Sequence, residues 1–366
     1  MYQRTSTVDH SNPITMTTQP SRNHDRQLAF VLDIDGCLSK EGVPIPGAKE
    51  ALHKLQFLQI PFVVCTNGGG QLESTRAAKL SKTFEMTISP DQVILSHTPL
   101  RSEVVPRLKD HRVLIVGEHC GEVARAYGLT KAEGIREYGQ RHPSLFPRRR
   151  EEDAIPIDDA GDPVKAIMFF EDPEDLGEAL QLCLDVLLTN GNPSGPRVLI
   201  EKEETKQDVE VFFSNPDLVY SGLATHPRLT QGSYRQCLET LYQSATTSTS
   251  TSYYSSKKTL STRTLKKGRT LNATTVGKPT PLTGKTALSK LLAQCPPSTT
   301  EEELEIWTVG DNPYSDVALA HTMGWNSALV RTGIWNGDAS DLEKEGVMPT
   351  KVEDSFSLVL KELLPE

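Results

Sequence analysis

Leu28-Ala29-Phe30-Val31-Leu32-Asp33-Ile34-Asp35-Gly36-Cys37-Leu38 decides how the rest of the chain is read. Leu28 to Leu32 are apolar without alternation, the pattern of a strand covered on both faces in a parallel sheet. Asp33 and Asp35 follow at its carboxyl end, and Gly36 turns the chain. In an open α/β sheet the ligand crevice lies outside the carboxyl ends of the strands, so both acids fall where a ligand sits. Two residues apart on an extended chain, they share one side. Asp33 is then placed to attack phosphorus, and Asp35 to protonate the leaving oxygen and afterwards to activate water. An acidic turn closed by glycine reads the same way at this one stretch, so the rest of the chain must decide.

Three further strand ends bear on it. Pro61 to Thr66 is apolar and β-branched and runs into Cys65-Thr66-Asn67-Gly68-Gly69-Gly70, a hydroxyl and unobstructed N–H groups ahead of a helix, as an anion site requires. Thr275-Val276-Gly277-Lys278-Pro279 brings a cation to a strand mouth, where it can hold a phosphate. Glu305 to Val309 ends in Gly310-Asp311-Asn312-Pro313-Tyr314-Ser315-Asp316, with Asp311 at the mouth and Asp316 in the first turn of a helix, placed to hold Lys278. Each alone has an ordinary structural reading: a flexible loop, a surface lysine, a capped helix. Four together, in this order, point to phosphoryl chemistry. Asp33 and Asp311 with the backbone carbonyl of Asp35 offer hard oxygens suited to Mg²⁺, Lys278 offsets phosphate charge, and Thr66 and Asn67 orient its oxygens. Gly284-Lys285-Thr286 is not a P-loop, because Pro279 stands where the pattern needs glycine.

Length and composition set the frame. At about 100–200 residues per domain, 366 residues predict two domains or one with a large insert. A formal charge of -9 argues against a nucleic-acid or anionic-membrane surface, and no apolar run is long enough to span a bilayer. Six cysteines without a C-x-x-C pair fit reduced thiols in an intracellular compartment. Residues 1–26 read as a polar leader in which Arg4, Arg22 and Arg26 resemble a presequence and Asp9 and Asp25 do not. The run Arg148 to Asp153, cations followed by anions, reads as a solvated loop, and Arg197 to Ile200 as a strand. Residues 244–272, rich in Ser, Thr and Lys, read as a surface insertion. Phe213-Ser214-Asn215-Pro216-Asp217 sets polar residues at one more strand end, either toward the leaving group or as a simple turn.

The quartet Asp33-Ile34-Asp35-Gly36, Cys65-Thr66-Asn67-Gly68, Gly277-Lys278-Pro279 and Gly310 to Asp316 resembles the four motifs of the haloacid dehalogenase-like hydrolases. Pro46-Gly47-Ala48, the run Gly68 to Gly70, Ser96-His97-Thr98-Pro99 and Phe213 to Asp217 are similar to subfamily IIA, and within it to the cat-eye-syndrome-critical-region type of fungal and animal mitochondria. The resemblance implies an α/β fold: a Rossmann-like doubly wound parallel sheet with an inserted α/β cap domain of the C2 type. It implies Asp33 as nucleophile, Asp35 as acid/base, Mg²⁺ on Asp33, Asp35 and Asp311, phosphate on Thr66, Asn67 and Lys278, Asp316 behind them, and Asn215 and Asp217 as cap residues of specificity. The expected division is leader 1–26, core 27–108, cap 109–230, core helix 231–243, insertion 244–272 and core 273–366. The expected activity is hydrolysis of a small phosphorylated metabolite, linked by resemblance to glycerophospholipid metabolism. A catalytically weak binding protein and a phosphotransferase or phosphomutase are the alternatives. The resemblance places the protein in the mitochondrial matrix, with the cytoplasm as the alternative, and leaves room for a homo-oligomer through the cap.

Overall fold

The computed structural model describes residues 26–146, 162–192, 207–220, 224, 226–246 and 268–364. The leader, the Arg148 to Asp153 run, the strand expected at Arg197 to Ile200 and most of the Ser/Thr-rich insertion lie outside the described residues. Two parallel sheets are built from β1 (Gln27–Leu32), β2 (Phe62–Cys65), β3 (Val93–Ile94), β4 (Val113–Val116), β5 (Ala132–Gly134), β6 (Ala166–Phe169), β7 (Glu210–Phe213), β8 (Ala273–Thr275), β9 (Leu304–Gly310), β10 (Asn326–Val330) and β11 (Lys351–Glu353). The first sheet is six-stranded, in the order β11-β10-β9-β1-β2-β3, and the second five-stranded, in the order β8-β7-β6-β4-β5.

β1 is central because both of its faces are apolar. Phe30 and Leu32 pack under the helices Ala48–Phe57 and Phe356–Leu363, while Ala29 and Val31 pack on the other side under Pro281–Leu292 and Ala318–Met323. Burying a leucine or phenylalanine in this way stabilises by roughly 1.5–3 kcal/mol. β1 pairs with β2 on one side and β9 on the other, with Leu32 opposite both Val64 and Val309. The chain thus reverses direction across the sheet between β1 and β9, where an open α/β sheet opens its crevice. The second sheet repeats the plan: β4 lies between β5 and β6, with Leu114, Ile167 and Val211 facing the helix Leu176–Leu188.

Three expectations differ from what is seen. The helix expected to belong to the first sheet spans Gln231–Ala245 and packs on the second, its Leu238 and Tyr242 buried with Val211 and Phe213, because those are the apolar positions of its inner face. The strand before Lys278 is likewise an edge of the second sheet, with Thr275 opposite Phe213. The insertion begins later than composition implies, since Thr246 closes that helix and its Oγ1 accepts the backbone N–H of Arg269 at 2.8 Å. Gly284-Lys285-Thr286 lies inside the helix Pro281–Leu292, consistent with rejecting a phosphate loop there. Among the described residues no helix is long and apolar enough to cross a membrane.

Candidate active site

The carboxyl ends of the two sheets face one another across a cavity of about 330 Å³. Asp33 and Asp35 follow β1, Thr66 and Asn67 follow β2, and Asp311 and Asp316 follow β9. From the second sheet come Asn215 and Asp217 after β7 and Lys278 after β8. Every site residue named from the sequence lines this one cavity, although the chain separates the first from the last by hundreds of positions.

Its centre is a buried ion cluster. Lys278, 2% exposed, donates from Nζ to Asp33 Oδ1 at 2.6 Å and to Asp316 Oδ1 at 2.5 Å. Burial alone would lower the lysine's pKa, but the two carboxylates override it and hold the ammonium charged. Asp33 is pushed up by burial, with Lys278 pulling it down and Asp316 and Asp311 adding to the rise. Asp311 is pushed up to about 7 by burial and by Asp316. Its Oδ2 accepts the N–H of Ile334 at 2.5 Å, and it lies so close to the turn after β1 that a Cβ at Gly36, whose φ is +93°, would stand 2.3 Å from that oxygen. Gly36 is therefore required twice, for the turn and for the approach of Asp311. Asp316 is fixed by a wide turn, Pro313–Val317, in which its Oδ2 accepts the N–H of Asn312 at 3.1 Å.

The donor set fits Mg²⁺. Ligand oxygens of Asp33, Asp311 and Asp316 lie within 4.8 Å of one another, with no sulfur or imidazole among them. Asp316 has both oxygens engaged, by Lys278 and Asn312, which marks it as the holder of the lysine. Asp33 and Asp311 each keep one oxygen pledged to no other side chain among the described residues. Three carboxylates around one ammonium leave a negative surplus that a divalent cation offsets, and Mg²⁺ takes one or two carboxylates while retaining waters.

Around this centre the named residues differ in how much they leave for a ligand. Thr66 Oγ1 accepts from the N–H of Gly68 at 3.0 Å and keeps its own hydrogen to donate. Asn67, in contrast, has its side chain fully occupied: Nδ2 donates to Asp217 Oδ2 at 2.9 Å and to the Lys278 carbonyl at 3.0 Å, while Oδ1 accepts the Lys278 N–H at 2.7 Å. Asn215 Oδ1 accepts the N–H of Asp217 at 2.8 Å and its Nδ2 donates to Thr230 at 3.2 Å, so this side chain shapes the turn. Asp217 is raised to about 6 by burial, against the pull of Asn67 and Lys278. Asp35 stands at the mouth, its side chain half exposed, raised by desolvation in the cleft and opposed by Arg76 at 3.3 Å.

Several residues of the site were not singled out from the sequence. Arg76 is one, since nothing in a helix of mixed charges signals that it reaches back to Asp35. Glu171 and Asp172, after β6, line the cavity from the second sheet. Their signal was present in Gly68-Gly69-Gly70: a Cβ on Gly69 would lie 2.0 Å from the Phe170 carbonyl oxygen, so the glycine run admits the end of β6. Ser96 and Ser214, both in quoted motifs, hydrogen-bond at 2.9 Å and tie the two sheets together. Beside them Glu73 accepts from Thr98 Oγ1 at 2.7 Å and from Tyr127 at 2.5 Å; burial opposes its charge, but these hydrogen bonds prevail and hold its pKa low. His97, stacked on Phe170, is driven down to about 4 by burial.

Residues 30–130 match the haloacid dehalogenase-like hydrolase model, and residues 275–358 match a second model, HAD-hydrolase-like. A mitochondrial hydrolase of Saccharomyces cerevisiae is 30% identical over 92% of this chain and 96% of its own length. The chain belongs to the haloacid dehalogenase-like hydrolases. A cardiolipin synthase / mitochondrial hydrolase fusion protein of Schizosaccharomyces pombe is 33% identical over 88% of the chain, which spans 51% of that fusion. A glycerol phosphate phosphatase of Mycobacterium tuberculosis, solved with magnesium, shares the fold at a TM-score of 0.55 and 18% identity, over 90% of this chain and 75% of that one. The two yeast relatives carry the name of hydrolase, and the chain is an enzyme of the hydrolase family to which it belongs.

Proposed function

We propose that the protein is a phosphatase of small phosphate monoesters acting through an aspartyl phosphate. The observation that carries the reading is Lys278, buried between Asp33 and Asp316 in the same cavity as Asp311 and Thr66. Asp33 attacks phosphorus, and Asp35 gives its proton to the departing alkoxide oxygen. Water then attacks the acyl phosphate while Asp35 takes up a proton from it, which releases phosphate and restores the Asp33 carboxylate and the protonated Asp35. The raised pKa of Asp35 suits a group that must carry a proton, and Arg76 keeps that rise moderate. An ammonium has three hydrogens, so Lys278 has one to spend on phosphate beside the Thr66 hydroxyl. Asn67 acts in this scheme by fixing the Lys278 backbone, with only its own N–H left for a ligand.

Asp33 and Asp311, with the carbonyl of Asp35, would hold Mg²⁺. Bound there, the ion supplies positive charge that stabilises the transferring phosphoryl group. The magnesium complex of the Mycobacterium tuberculosis relative supports this choice. The second sheet is the cap domain of the scheme, extended through Gln231–Ala245 and β8 to about residue 276, because those elements pack on it. The names of the two yeast relatives support a mitochondrial location, for which we propose the matrix, and the fusion to a cardiolipin synthase supports a substrate from glycerophospholipid metabolism. The test is turnover of p-nitrophenyl phosphate with Mg²⁺ and with chelator, in the parent and in Asp33→Asn. Loss of turnover on chelation, together with a fall of at least about 10³-fold in the variant, is expected. Activity of the variant within tenfold of the parent sinks the nucleophile assignment.

A further inference from the structure

Given the phosphatase reading, on which this inference rests, the alcohol part of the substrate meets the wall of the cavity that the ends of β6 and β7 contribute. Its charged residues are Glu171 and Asp172 after β6 and Asp217 after β7, and Glu41, in the turn joining Ser39–Lys40 to Val43–Pro44, also lines the cavity. None of the first three is neutralised by a cation among the bonds that fix them. Asp172 Oδ1 accepts from the Thr230 hydroxyl at 2.9 Å, and Asp217 Oδ2 accepts from the Asn67 amide at 2.9 Å. Glu171 packs against the glycine loop, where a Cβ on Gly70 would stand 2.2 Å from its Oε2.

Among the described residues Lys278 is the one lysine or arginine in the lining, and it is held by Asp33 and Asp316. Arg76 lies outside the lining and turns to Asp35, and Lys79 donates to Gln71 at 2.9 Å. Burial raises Glu171, Asp172 and Asp217 alike and outweighs the opposing pull of Lys79 and His119 on Glu171 and of Lys278 on Asp217, so this wall resists gaining further negative charge. A cleft of one sign with low-dielectric walls concentrates ligands of opposite sign and repels like charge.

We infer that the alcohol half of the substrate bears no second anionic group, and that an amine-bearing alcohol is accepted in preference to a neutral one and a carboxylate-bearing one is refused. The phosphate enters on the lysine side, and the substituent lies against Glu171, Asp172 and Asp217.

A size-matched series tests this on the whole protein with Mg²⁺: 2-aminoethyl phosphate, 2-hydroxyethyl phosphate and 2-phosphoglycolate, which differ in the charge at the second carbon. The expected order of kcat/KM is amine, hydroxyl, carboxylate, with at least about tenfold between first and last. Glu171→Gln combined with Asp172→Asn narrows the amine-to-carboxylate ratio by at least about threefold. That ratio is taken on one protein preparation, so a partly unfolded sample does not alter it. A ratio near one in the parent, or a preference for the carboxylate, overturns the inference, as does an unchanged ratio in the variant. Turnover of p-nitrophenyl phosphate separates the two levels. If it is absent, the phosphatase reading fails and takes this one with it; if it is present while phosphoglycolate is preferred, only the inference about the alcohol fails.

Discussion

The carboxyl ends of the two sheets meet at one cavity yet hold charge in opposite ways. At the end of the first, Asp33 and Asp316 are compensated by an ammonium that arrives from the second sheet, and Asp311 by a backbone N–H. At the end of the second, Asp172 is held by the Thr230 hydroxyl and the Gln231 backbone N–H and Asp217 by the Asn67 amide, with Lys278 acting on Asp217 only from a distance. In the first sheet the crevice opens where strand order reverses, at β1, so topology explains where the ligand goes. It does not explain which chemistry follows. That depends on whether a buried charge meets its opposite, because an uncompensated charge in a poorly solvated place shifts its proton affinity or draws in a counter-charge. An exposed pair elsewhere in the same domain makes the contrast sharper: Arg136 and Glu174 meet at 3.0 Å with side chains 64% and 60% exposed. Water screens such a pair to about 1 kcal/mol or less.

Removing Lys278 breaks the comparison most severely. Lys278→Met leaves Asp33 and Asp316 buried without their cation, a situation that costs about 3–5 kcal/mol when one partner of a buried pair is lost. Turnover of p-nitrophenyl phosphate is expected to fall by at least about 10²-fold, on the scale of losing a preorganised electrostatic partner. The melting temperature falls more at pH 8 than at pH 5, because acid lets the abandoned carboxylates take up protons. A variant that melts like the parent at both pH values, with activity within tenfold, shows that the cluster holds neither the fold nor the reaction together.

Gly69→Ala acts on the seam between the sheets. The new Cβ must displace the Phe170 carbonyl, which is backbone and yields only if β6 moves, so a cost of about 1–3 kcal/mol is expected. A drop in kcat/KM accompanies it, since Glu171 and Asp172 follow directly. Gly134→Ala is the control, because the nearest atom to its Cβ is 3.7 Å away, at Glu137. Equal effects from the two would mean that the approach at Gly69 has no special weight.

The first sheet was legible in the sequence because β1, β2 and β9 are short apolar runs, each ending in an unusual polar signature, and local pattern suffices for that. The second was legible only in part. Leu176–Leu188 shows a clear helical period, but β5 (Ala132–Gly134) is three residues long, too short for a local pattern to declare it. Which sheet received Gln231–Ala245 and β8 could not be read at all, because an apolar face does not say which partner will cover it. The same holds for site contacts. Asp33, Lys278 and Asp316 could be matched by charge alone, whereas Arg76 to Asp35, or the full occupation of Asn67, depends on side-chain directions set by packing.

Asp217→Asn is the mildest change and the one that tests the second sheet's side directly. Burial raises Asp217 to about 6, above the unfolded value near 3.9. Between those values the folded protein binds more protons than the unfolded chain, so this group's contribution to stability declines as pH rises through that interval and its cost is complete above about pH 6. An asparagine cannot ionise, yet its Oδ1 can still accept from Asn67. The variant is therefore expected to melt a few degrees above the parent at pH 8, with the advantage shrinking between pH 6 and pH 4 and gone below. At about 2–4 °C per kcal/mol for chains somewhat shorter than this one, such a rise corresponds to about one kcal/mol. If the variant instead melts lower at pH 8, the Asp217 carboxylate is compensated after all, and the two sides of the cavity hold their charges by the same means.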